Sequence, residues 1–402
     1  MAITDKEQGV WNLEEVYNKI NEGGIWSYTG DNQLWVSGGG NGHLGMNENI
    51  RVSSPVQLTG NYTNAAFGNS VLGIRADGTL WAWGANGYGT LGNNKYYGVA
   101  GGGNYSSPIQ VGAESTWALI ASRNNDMVFA TKTDGTLWSW GYNWSGALGH
   151  NKKLSDLTGF SSPTQVGTDT DWPISNSDQL VTTGWLWAIK QDGTLWACGD
   201  GTSGMLGQNN NTSRSSPVQV GTDTTWDNIC ETHHKFHAIK TDGTLWACGQ
   251  NQYGELGTSD KTSYSSPRQV PGTTWKTAAG FDNGTMAVKT DGTLWAWGKN
   301  SHGQQGRNNQ FNSIPQCNDS PIQVGTNTNW DQVRCSSSST WAIKTDGTLW
   351  AWGNNPTGFL GHNNRAEYSS PTQVGTLTNW TPTGFTNTKG FSPSTFGAIR
   401  AL

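Results

Sequence analysis

The sequence predicts an all-β protein, a seven-bladed β-propeller closed by pairing of its N- and C-terminal strands, with a short N-terminal helical segment. Two landmarks, a Ser-Pro pair with Gln two residues after the proline and a GxLG turn, recur in phase with a third. That third landmark, the string DGTLW, starts at Asp77, Asp134, Asp192, Asp242, Asp291 and Asp346, with a divergent copy after Gly30. Together the landmarks divide the chain into seven units of roughly 50 residues, a period typical of propeller blades.

Each unit has the pattern of paired strands. In residues 287–298 two apolar stretches flank Asp291-Gly292, and Asp-Gly favours the primed two-residue turn of a β-hairpin. Side chains alternate along a strand, so Trp295 and Trp297 share one face and Leu294 lies on the other. Both faces are apolar, and we therefore expect each sheet to be covered on both sides by its neighbours, as in a ring of blades.

The two ends of the chain predict how the ring closes. The final residues FGAIRAL match FHAIK at Phe236–Lys240, the strand that precedes an Asp-Gly turn, while the first unit begins at that turn. We expect Ala398–Arg400 to pair with Leu34–Val36, which removes two exposed strand edges. The predicted domains are an N-terminal docking segment over 1–27 and a propeller over 28–402.

Composition excludes several classes of protein. Charged residues are 13% of the chain, the net charge is −5 and no run of Lys or Arg occurs, which argues against a nucleic-acid partner. No apolar run approaches the ~20 residues that span a bilayer, and no secretory signal precedes the repeats. Five widely spaced cysteines do not form a disulfide framework, so we expect folding in a reducing cytoplasm.

The repeat resembles that of the regulator of chromosome condensation family, most clearly in DGTLWAWGANGYGTLG at Asp77–Gly92. The resemblance implies a β-propeller. The founding member is an exchange factor for a small GTPase that docks on chromatin, and relatives are regulators and interaction platforms. An intracellular interaction platform or exchange-factor-like regulator is therefore one implied function. The sixth copy has Gln305 in place of the leucine of the GxLG turn, the first unit has LWVSG, and no exchange-factor residue transfers by position.

A second resemblance lies in Gly9–Trp26, outside the repeats. Asn12 can cap a helix, and a stripe of apolar side chains at helical spacing follows. The pattern GVWxLxEVY is similar to a segment of bacteriophage virion and tail proteins. It implies a virion component that docks on other virion proteins, in multiple copies of a symmetric assembly. The candidate docking helix comprises Trp11, Leu13, Val16, Tyr17 and Ile20.

No catalytic, cofactor-binding or metal-binding residue is predicted. Two GxGxxG strings lie inside the GxLG landmark rather than at the start of a helix. His233, His234 and His237 are interpreted as packing or surface residues, and a metal site there is the alternative. Cys198 and Cys248 are likewise interpreted as buried packing residues, and a disulfide or metal-binding pair is the alternative. The paired carboxylates of Asp169 and Asp171 are interpreted as loop residues, with calcium binding as the alternative.

Loop aromatics form the candidate binding face. The connection after the GxLG turn is 8 residues in most units but grows to 14 (93–106), 12 (150–161) and 13 (307–319). The insertions occupy the same point of the repeat and should emerge on one face, where they could bind protein or glycan. Ordinary loop variation is the alternative. The residues are Tyr96, Tyr97, Tyr105, Trp144, Phe160 and Phe311.

Three hypotheses follow for function. The first is a non-catalytic structural or adhesion protein of a phage particle, in the tail, a fibre or the capsid surface, whose propeller meets a host surface protein or glycan. The second is the intracellular platform or exchange-factor-like regulator. The third is a glycan-binding propeller, which is compatible with the first.

Overall fold

The fold is built from β-strands. A computed structural model of the chain describes residues 32–39, 45–47, 51–67, 70–96, 103–123, 127–182, 184–230, 235–310, 317–380, 388–389 and 395–401. Within these ranges no α-helix occurs. The helical content is three single 3-10 turns, at Trp144–Gly146, Ser177–Gln179 and Thr202–Gly204. None of the described helices has the length and apolar character that crossing a membrane requires.

The strands of the described residues form six hydrogen-bonded sheets. The first sheet has seven strands and contains both ends of the propeller. Its members are β1 (Asn32–Gly39), β2 (Arg51–Phe67), β3 (Ser70–Arg75), β4 (Leu80–Gly84), β5 (Tyr105–Gln110), β26 (Thr388–Lys389) and β27 (Thr395–Ala401).

Each of the other five sheets has four antiparallel strands in chain order. They are β6 (Trp117–Arg123), β7 (Met127–Lys132), β8 (Leu137–Tyr142) and β9 (Gly159–Gln165); β10 (Leu180–Thr182), β11 (Leu186–Ile189), β12 (Leu195–Gly199) and β13 (Arg214–Gln219); β14 (Trp226–Cys230), β15 (Lys235–Lys240), β16 (Leu245–Gly249) and β17 (Tyr264–Gln269); β18 (Trp275–Phe281), β19 (Gly284–Lys289), β20 (Leu294–Gly298) and β21 (Asn318–Gln323); β22 (Trp330–Cys335), β23 (Ser339–Lys344), β24 (Leu349–Gly353) and β25 (Tyr368–Gln373).

The predicted fold class, a seven-bladed propeller with a helical N-terminal segment, is wrong for the described residues, which form an all-β propeller of six sheets without an α-helix. The number differs because β2 is continuous. Its first half pairs with β1 and its second half with β3, so two sequence repeats share one sheet. The segment 1–27, including Trp11, Leu13, Val16, Tyr17 and Ile20, lies outside the described residues.

The predicted closure of the ring is confirmed, although the register differs by one residue from the predicted pairing of Ala398–Arg400 with Leu34–Val36. Strand β27 pairs antiparallel with β1, with Leu34 opposite Ile399, Trp35 opposite Ala398 and Val36 opposite Gly397. The C-terminal strand thereby covers an edge of β1 that would otherwise be open to pairing with another chain.

The Asp-Gly turns differ from the expected primed type. In the turn after β7, the N–H of Gly135 donates to Lys132 O at 2.9 Å, and Gly135 has a φ of 79° while Asp134 has no positive φ. A primed turn needs positive φ at its first central residue, and in type I′ at the second as well, so this is an ordinary turn that ends in a left-handed glycine. The aspartate is selected instead by its side chain, because Asp134 Oδ1 accepts from both the N–H and the hydroxyl of Thr136.

The threonine of each turn positions a tryptophan, and a basic side chain lies over the indole ring, a lysine in five turns and Arg75 in the first. Thr136 Oγ1 accepts from Trp138 Nε1 at 2.8 Å, and the same contact recurs in six copies of the turn. Lys132 Nζ then lies 3.7 Å from the ring centroid of Trp138 and 5.0 Å from that of Trp117. Such cation–aromatic contacts are worth about 0.5–2 kcal/mol each, depending on burial. The repeated tryptophans are therefore packing residues with a fixed orientation.

Neighbouring repeats are joined by one recurrent hydrogen bond. The residue two positions after each GxLG turn has a left-handed backbone, as at Asn151 with a φ of 56°. Its N–H donates to a carbonyl at the start of the next repeat's outermost strand, at 2.6 Å from Asn151 to Ser215 O. The same bond from Asn363 to Ser53 O, at 2.9 Å, joins the last repeat to the first.

A second contact between repeats uses the other tryptophan of LWAWG. Trp140 Nε1 donates to Thr90 O of the preceding repeat at 2.8 Å, and Trp297 Nε1 donates to Glu255 O. Cys198 and Cys248 occupy the same position, are fully buried, and direct their sulfurs at the equivalent carbonyls. Burial raises the pKa of the Cys198 thiol to about 12, so this residue stays a neutral packing group.

The ring has two faces, which differ in the turns and connections that they carry. The N–H of the tryptophan that starts each innermost strand bonds the turn glycine of the preceding repeat, as from Trp226 to Gly193 O at 3.3 Å. We call this side, with the Asp-Gly turns and the starts of the innermost strands, the turn face. The opposite side, with the GxLG turns and the connections to the outermost strands, is the loop face. The first strands of neighbouring sheets contact one another and so surround the centre of the ring.

We predict that removing β27 opens the ring. A chain that ends at Ser394 leaves one edge of β1 unpaired, and we expect a clearly lower Tm together with self-association through that edge. Thermal unfolding and sedimentation velocity measure the two effects. A chain that ends at Ala401 retains every pair and serves as the control. Equal Tm values and a monomeric truncated chain would contradict the closure described here.

We also predict that protonation of His237 lowers the stability of the fold in acid. Its side chain is fully buried, and burial together with Lys235 lowers the pKa to about 3. Because the unfolded state binds the proton more tightly, stability present above pH 6.5 is lost as the pH falls towards 3, by up to about 5 kcal/mol. Nearby Glu255 has a pKa raised by burial and acts in the opposite direction, so the difference between two chains is the quantity to measure.

The comparison chain carries His237→Met, since Met286 holds the equivalent place in the next repeat. Denaturant unfolding of both chains between pH 7.5 and pH 4 should show a smaller loss of stability in the variant. Parallel curves would show that His237 does not titrate in this range.

Candidate functional site

The candidate site begins at a β-bulge that recurs on the turn face. In the first strand of several sheets the pairing register shifts directly after the leading aromatic residue, and the residue at +1 is left without an opposite partner. Bulges re-aim side chains and are common beside functional sites. The bulged positions hold Ala118, Asp227, Lys276 and Asp331, and Asp178 precedes the short strand β10 at the corresponding point. The repeat thus brings its most variable charged residues to the centre of one face, which we call the channel mouth.

An ion pair crosses the channel mouth between distant repeats. Arg334 Nη2 lies 2.9 Å from Asp178 Oδ1, and the side chains are 4% and 12% exposed. Arg334 Nη1 also donates to Val333 O at 3.0 Å. These residues are 156 positions apart in the chain, so the pair ties opposite parts of the ring together. A buried pair of this kind costs desolvation of both charges and leaves a large penalty when only one partner is removed.

The channel mouth also contains a second ion pair and a carboxyl group with a raised pKa. Lys276 on β18 binds Asp331 on β22, and the Lys276 side chain is 39% exposed. Asn228 Nδ2 donates to Asp227 Oδ2 at 3.0 Å, and Asn228 Oδ1 accepts from Asn176 Nδ2 at 3.0 Å. Burial, and then the Asp178 charge, raise the pKa of Asp227 above its ordinary value. This cluster can attract and orient a charged partner group, and it is held rigidly by its own hydrogen bonds.

Carboxylates surround the channel mouth. In each Asp-Gly turn the threonine bonds lower the pKa of the aspartate, so these side chains stay ionised. Half-exposed carboxylates of the neighbouring loops bind the lysines of the tryptophan clusters, as in Asp223–Lys240 at 2.7 Å. Among the described residues, carboxylates outnumber basic side chains on the turn face. The acidic set is Asp77, Glu114, Asp134, Asp169, Asp171, Asp178, Asp192, Asp223, Asp227, Asp242, Asp291, Asp331 and Asp346, and the basic set is Arg75, Lys132, Lys190, Lys240, Lys276, Lys289, Arg334 and Lys344.

The channel mouth was not predicted from the sequence, because the prediction rested on residues that recur in every repeat. The charge of the residue after the leading tryptophan could have indicated it. That position is charged in Asp227, Lys276 and Asp331, although charged residues are only 13% of the chain. The bulge that aims these side chains at one place has no sequence signature of its own.

The predicted loop aromatics separate into two groups. Tyr96 and Trp144 are 52% and 49% exposed on the loop face. Tyr105 and Phe160 are half-buried and pack against the core that includes Trp140, so they are structural. Tyr97 and Phe311 lie outside the described residues. Their role as a binding face remains a prediction.

The titratable residues considered for metal binding are engaged elsewhere. Asp169 and Asp171 hold the ammonium of Lys190 at 2.6 and 2.9 Å. His237 is buried, and its Nε2 contacts Leu256 O at 3.3 Å. His233 and His234 lie outside the described residues. Within the part of the chain that the structure describes, no group of three or more His, Cys, Asp or Glu could hold a metal ion.

We predict strong coupling across the channel mouth. Arg334→Ala or Asp178→Ala alone should each lower the free energy of unfolding by about 3–5 kcal/mol, because the other charge is left buried. The double variant should lose at least about 1 kcal/mol less than the sum. The pair Lys240–Asp223 is the control because its carboxylate is 56% exposed, and a cycle there should give less than about 1 kcal/mol. Equal coupling in the two cycles would contradict the cross-channel pair.

The comparisons with known proteins agree with the repeat and the fold. The model of the regulator of chromosome condensation (RCC1) repeat matches residues 242–288, 291–343 and 346–382, and a second RCC1 repeat model matches 276–304. The predicted resemblance to this repeat is therefore confirmed. The resemblance of the N-terminal segment to phage virion proteins is not shown.

Solved structures with the same fold cover almost the whole chain. Human WBSCR16 gives a TM-score of 0.76 at 18% identity, over 92% of this chain and 99% of that one. Prp20p from Saccharomyces cerevisiae, described with its binding properties to Gsp1p and histones, gives 0.73 at 17% identity over 98% and 96%. Yeast RCC1 (Prp20) bound to Kap60 gives 0.73 at 18% identity over 100% and 95%.

At these identities the likeness establishes the fold and nothing further about activity. The chain carries RCC1 repeats over residues 242–382 and has the fold of an RCC1-like β-propeller.

Proposed function

We propose that this protein is a non-catalytic interaction platform whose turn face receives a basic protein partner. The observation that carries the proposal is the channel mouth. The repeats are alike at their packing positions, yet they differ at the bulge, where Asp227, Lys276 and Asp331 present charge at the centre of an acidic face. Complementary charge steers association and selects partners more than it adds affinity, so we expect a fast, salt-sensitive interaction.

The wider surface supports a protein rather than a small molecule as the partner. The carboxylates are spread over the whole turn face, and Glu114, Asp171 and Asp223 are each about half exposed. Such an arrangement suits an interface of standard size with a polar rim around a rigid centre.

Exchange-factor-like regulation of a small GTPase is the finer form of this proposal. It is supported by the RCC1 repeats and by the shared fold with Prp20p, whose structure was described with its binding to Gsp1p and histones. A purified small GTPase loaded with a fluorescent GDP analogue tests it, since a regulator of this kind accelerates release of the analogue. The virion role, with its docking through the N-terminal segment, stays a separate prediction that mass spectrometry of phage particles can check.

We predict that neutralising carboxylates of the rim and of the channel mouth removes the partner. The protein carrying Asp171→Asn, Asp223→Asn and Asp227→Asn should capture at least about tenfold less of a basic protein from its source extract, a difference of about 1.4 kcal/mol. Quantitative mass spectrometry of the captured proteins measures this. Raising the salt from 0.05 to 0.5 M should have the same effect on the unmodified chain.

The control carries Asp156→Asn and Glu367→Gln, two exposed carboxylates of the loop face. It should capture as much partner as the unmodified protein. Capture that depends on the loop-face carboxylates, or no stoichiometric partner with any chain, would contradict the proposal.

A further inference from the structure

A groove of about 340 Å³ opens on the loop face beside an exposed tryptophan. Trp144, Ser145, Lys153, Leu154 and Ser155 line one side, and Ser213 and Ser215 of the next repeat line the other. The groove lies on the opposite face from the channel mouth, so it is independent of the proposed protein-binding surface.

Unlike other grooves of the ring, this one does not follow from the repeat. Three grooves of 320 to 340 Å³ recur at equivalent places, each with a leading tryptophan and a landmark proline in its wall: Trp172 with Pro217, Trp226 with Pro267, and Trp380 with Pro55. They are a consequence of packing one repeat on the next. The groove at Trp144 instead depends on the 12-residue insertion, and the next repeat has Thr202 where Trp144 stands.

The apolar part of the groove is an exposed and well-supported indole. Trp144 is 49% exposed, and its ring centroid lies 6.3 Å from that of Tyr142. Tyr142 in turn stacks on Tyr88 at 4.3 Å. Asn143 fixes the insertion, because its Nδ2 donates to Lys152 O at 3.1 Å and to Leu157 O at 3.0 Å. A fixed aromatic platform reduces the entropy that a ligand must lose on binding.

The polar part of the groove offers hydroxyls and one positive charge. Four serines line the groove, and Lys153 is the charged side chain of the lining. Two carboxylates bond this lining: Asp156 accepts from the Ser155 hydroxyl at 3.0 Å and from the Lys153 N–H at 3.4 Å, and Asp200 accepts from the Ser213 hydroxyl at 3.4 Å. A ligand that fits must combine an apolar ring face, several hydroxyls and an anionic group.

We propose that this groove binds a saccharide that carries a carboxylate, such as a uronic acid residue of an acidic polysaccharide. The C–H face of the pyranose ring stacks on Trp144, the carboxylate pairs with the Lys153 ammonium, and the serine hydroxyls bond the ring hydroxyls. Charge complementarity selects the acidic sugar, since a neutral sugar makes the stacking contact without the ion pair.

The test is isothermal titration with three probes of similar length: an oligogalacturonate, a neutral galacto-oligosaccharide and an oligoglutamate peptide. We expect the oligogalacturonate to bind at least about tenfold more tightly than either of the others, a difference of about 1.4 kcal/mol. Its affinity should fall with salt, because the ion pair is exposed. Equal binding of the two saccharides, preference for the peptide, or no binding of oligogalacturonate would overturn the proposal.

Point variants assign the binding to the groove. Trp144→Ala should abolish measurable binding, whereas Trp144→Phe should retain part of it because a ring face remains. Lys153→Gln should remove the preference for the acidic over the neutral saccharide. Arg365→Gln, an exposed cation in the shorter equivalent loop of another repeat, is the control and should bind as the unmodified protein does. An unchanged Tm in each variant confirms folding, and unaltered binding by both Trp144→Ala and Lys153→Gln would place the site elsewhere.

Discussion

The hydrogen bond from the left-handed residue after each GxLG turn to the next repeat is the constraint on which the ring depends. The acceptor of this bond is a carbonyl at the start of the next repeat's outermost strand, so each repeat bonds its neighbour. The bond from the Asn363 N–H to Ser53 O joins the last repeat to the first. A left-handed backbone is tolerated best by Asn and Gly, which explains why asparagine recurs there. The tryptophan N–H bonds between repeats act in parallel, and even Cys198 preserves the contact where the tryptophan is lost.

The residues that bond one repeat to the next cannot change without loss of packing. Residues that bind a ligand can therefore vary only at positions that do not take part in this packing. The bulge after the leading tryptophan is one such place, and it yields the charged channel mouth of the turn face. The connection after the GxLG turn is the other, and its insertion yields the groove at Trp144. The two surfaces differ in chemistry, since one is acidic and broad while the other is aromatic, narrow and rich in hydroxyls. One ring can therefore serve two kinds of ligand without competition between them.

The features that recur in every repeat were predicted from the sequence, and the features that occur once were not. The repeat boundaries, the strands around Asp-Gly and the pairing of β27 with β1 followed from recurrent residues. The number of sheets did not, because nothing in residues 51–67 marks that β2 continues from one repeat into the next. The ion pair between Arg334 and Asp178 joins residues 156 positions apart, and no local pattern reports such a contact. Exposure also needed the structure, since Trp144 and Phe160 are both loop aromatics but only Trp144 faces solvent.

A protein partner on the turn face would place its lysines beside the carboxylates of that face. Carboxylate-to-amine cross-linking of the protein with its captured partner, followed by mass spectrometry, detects this arrangement. We expect links from partner lysines to the half-exposed carboxylates Glu114, Asp171 and Asp223. Links confined to Asp156 and Glu367 would show that the partner binds the loop face instead.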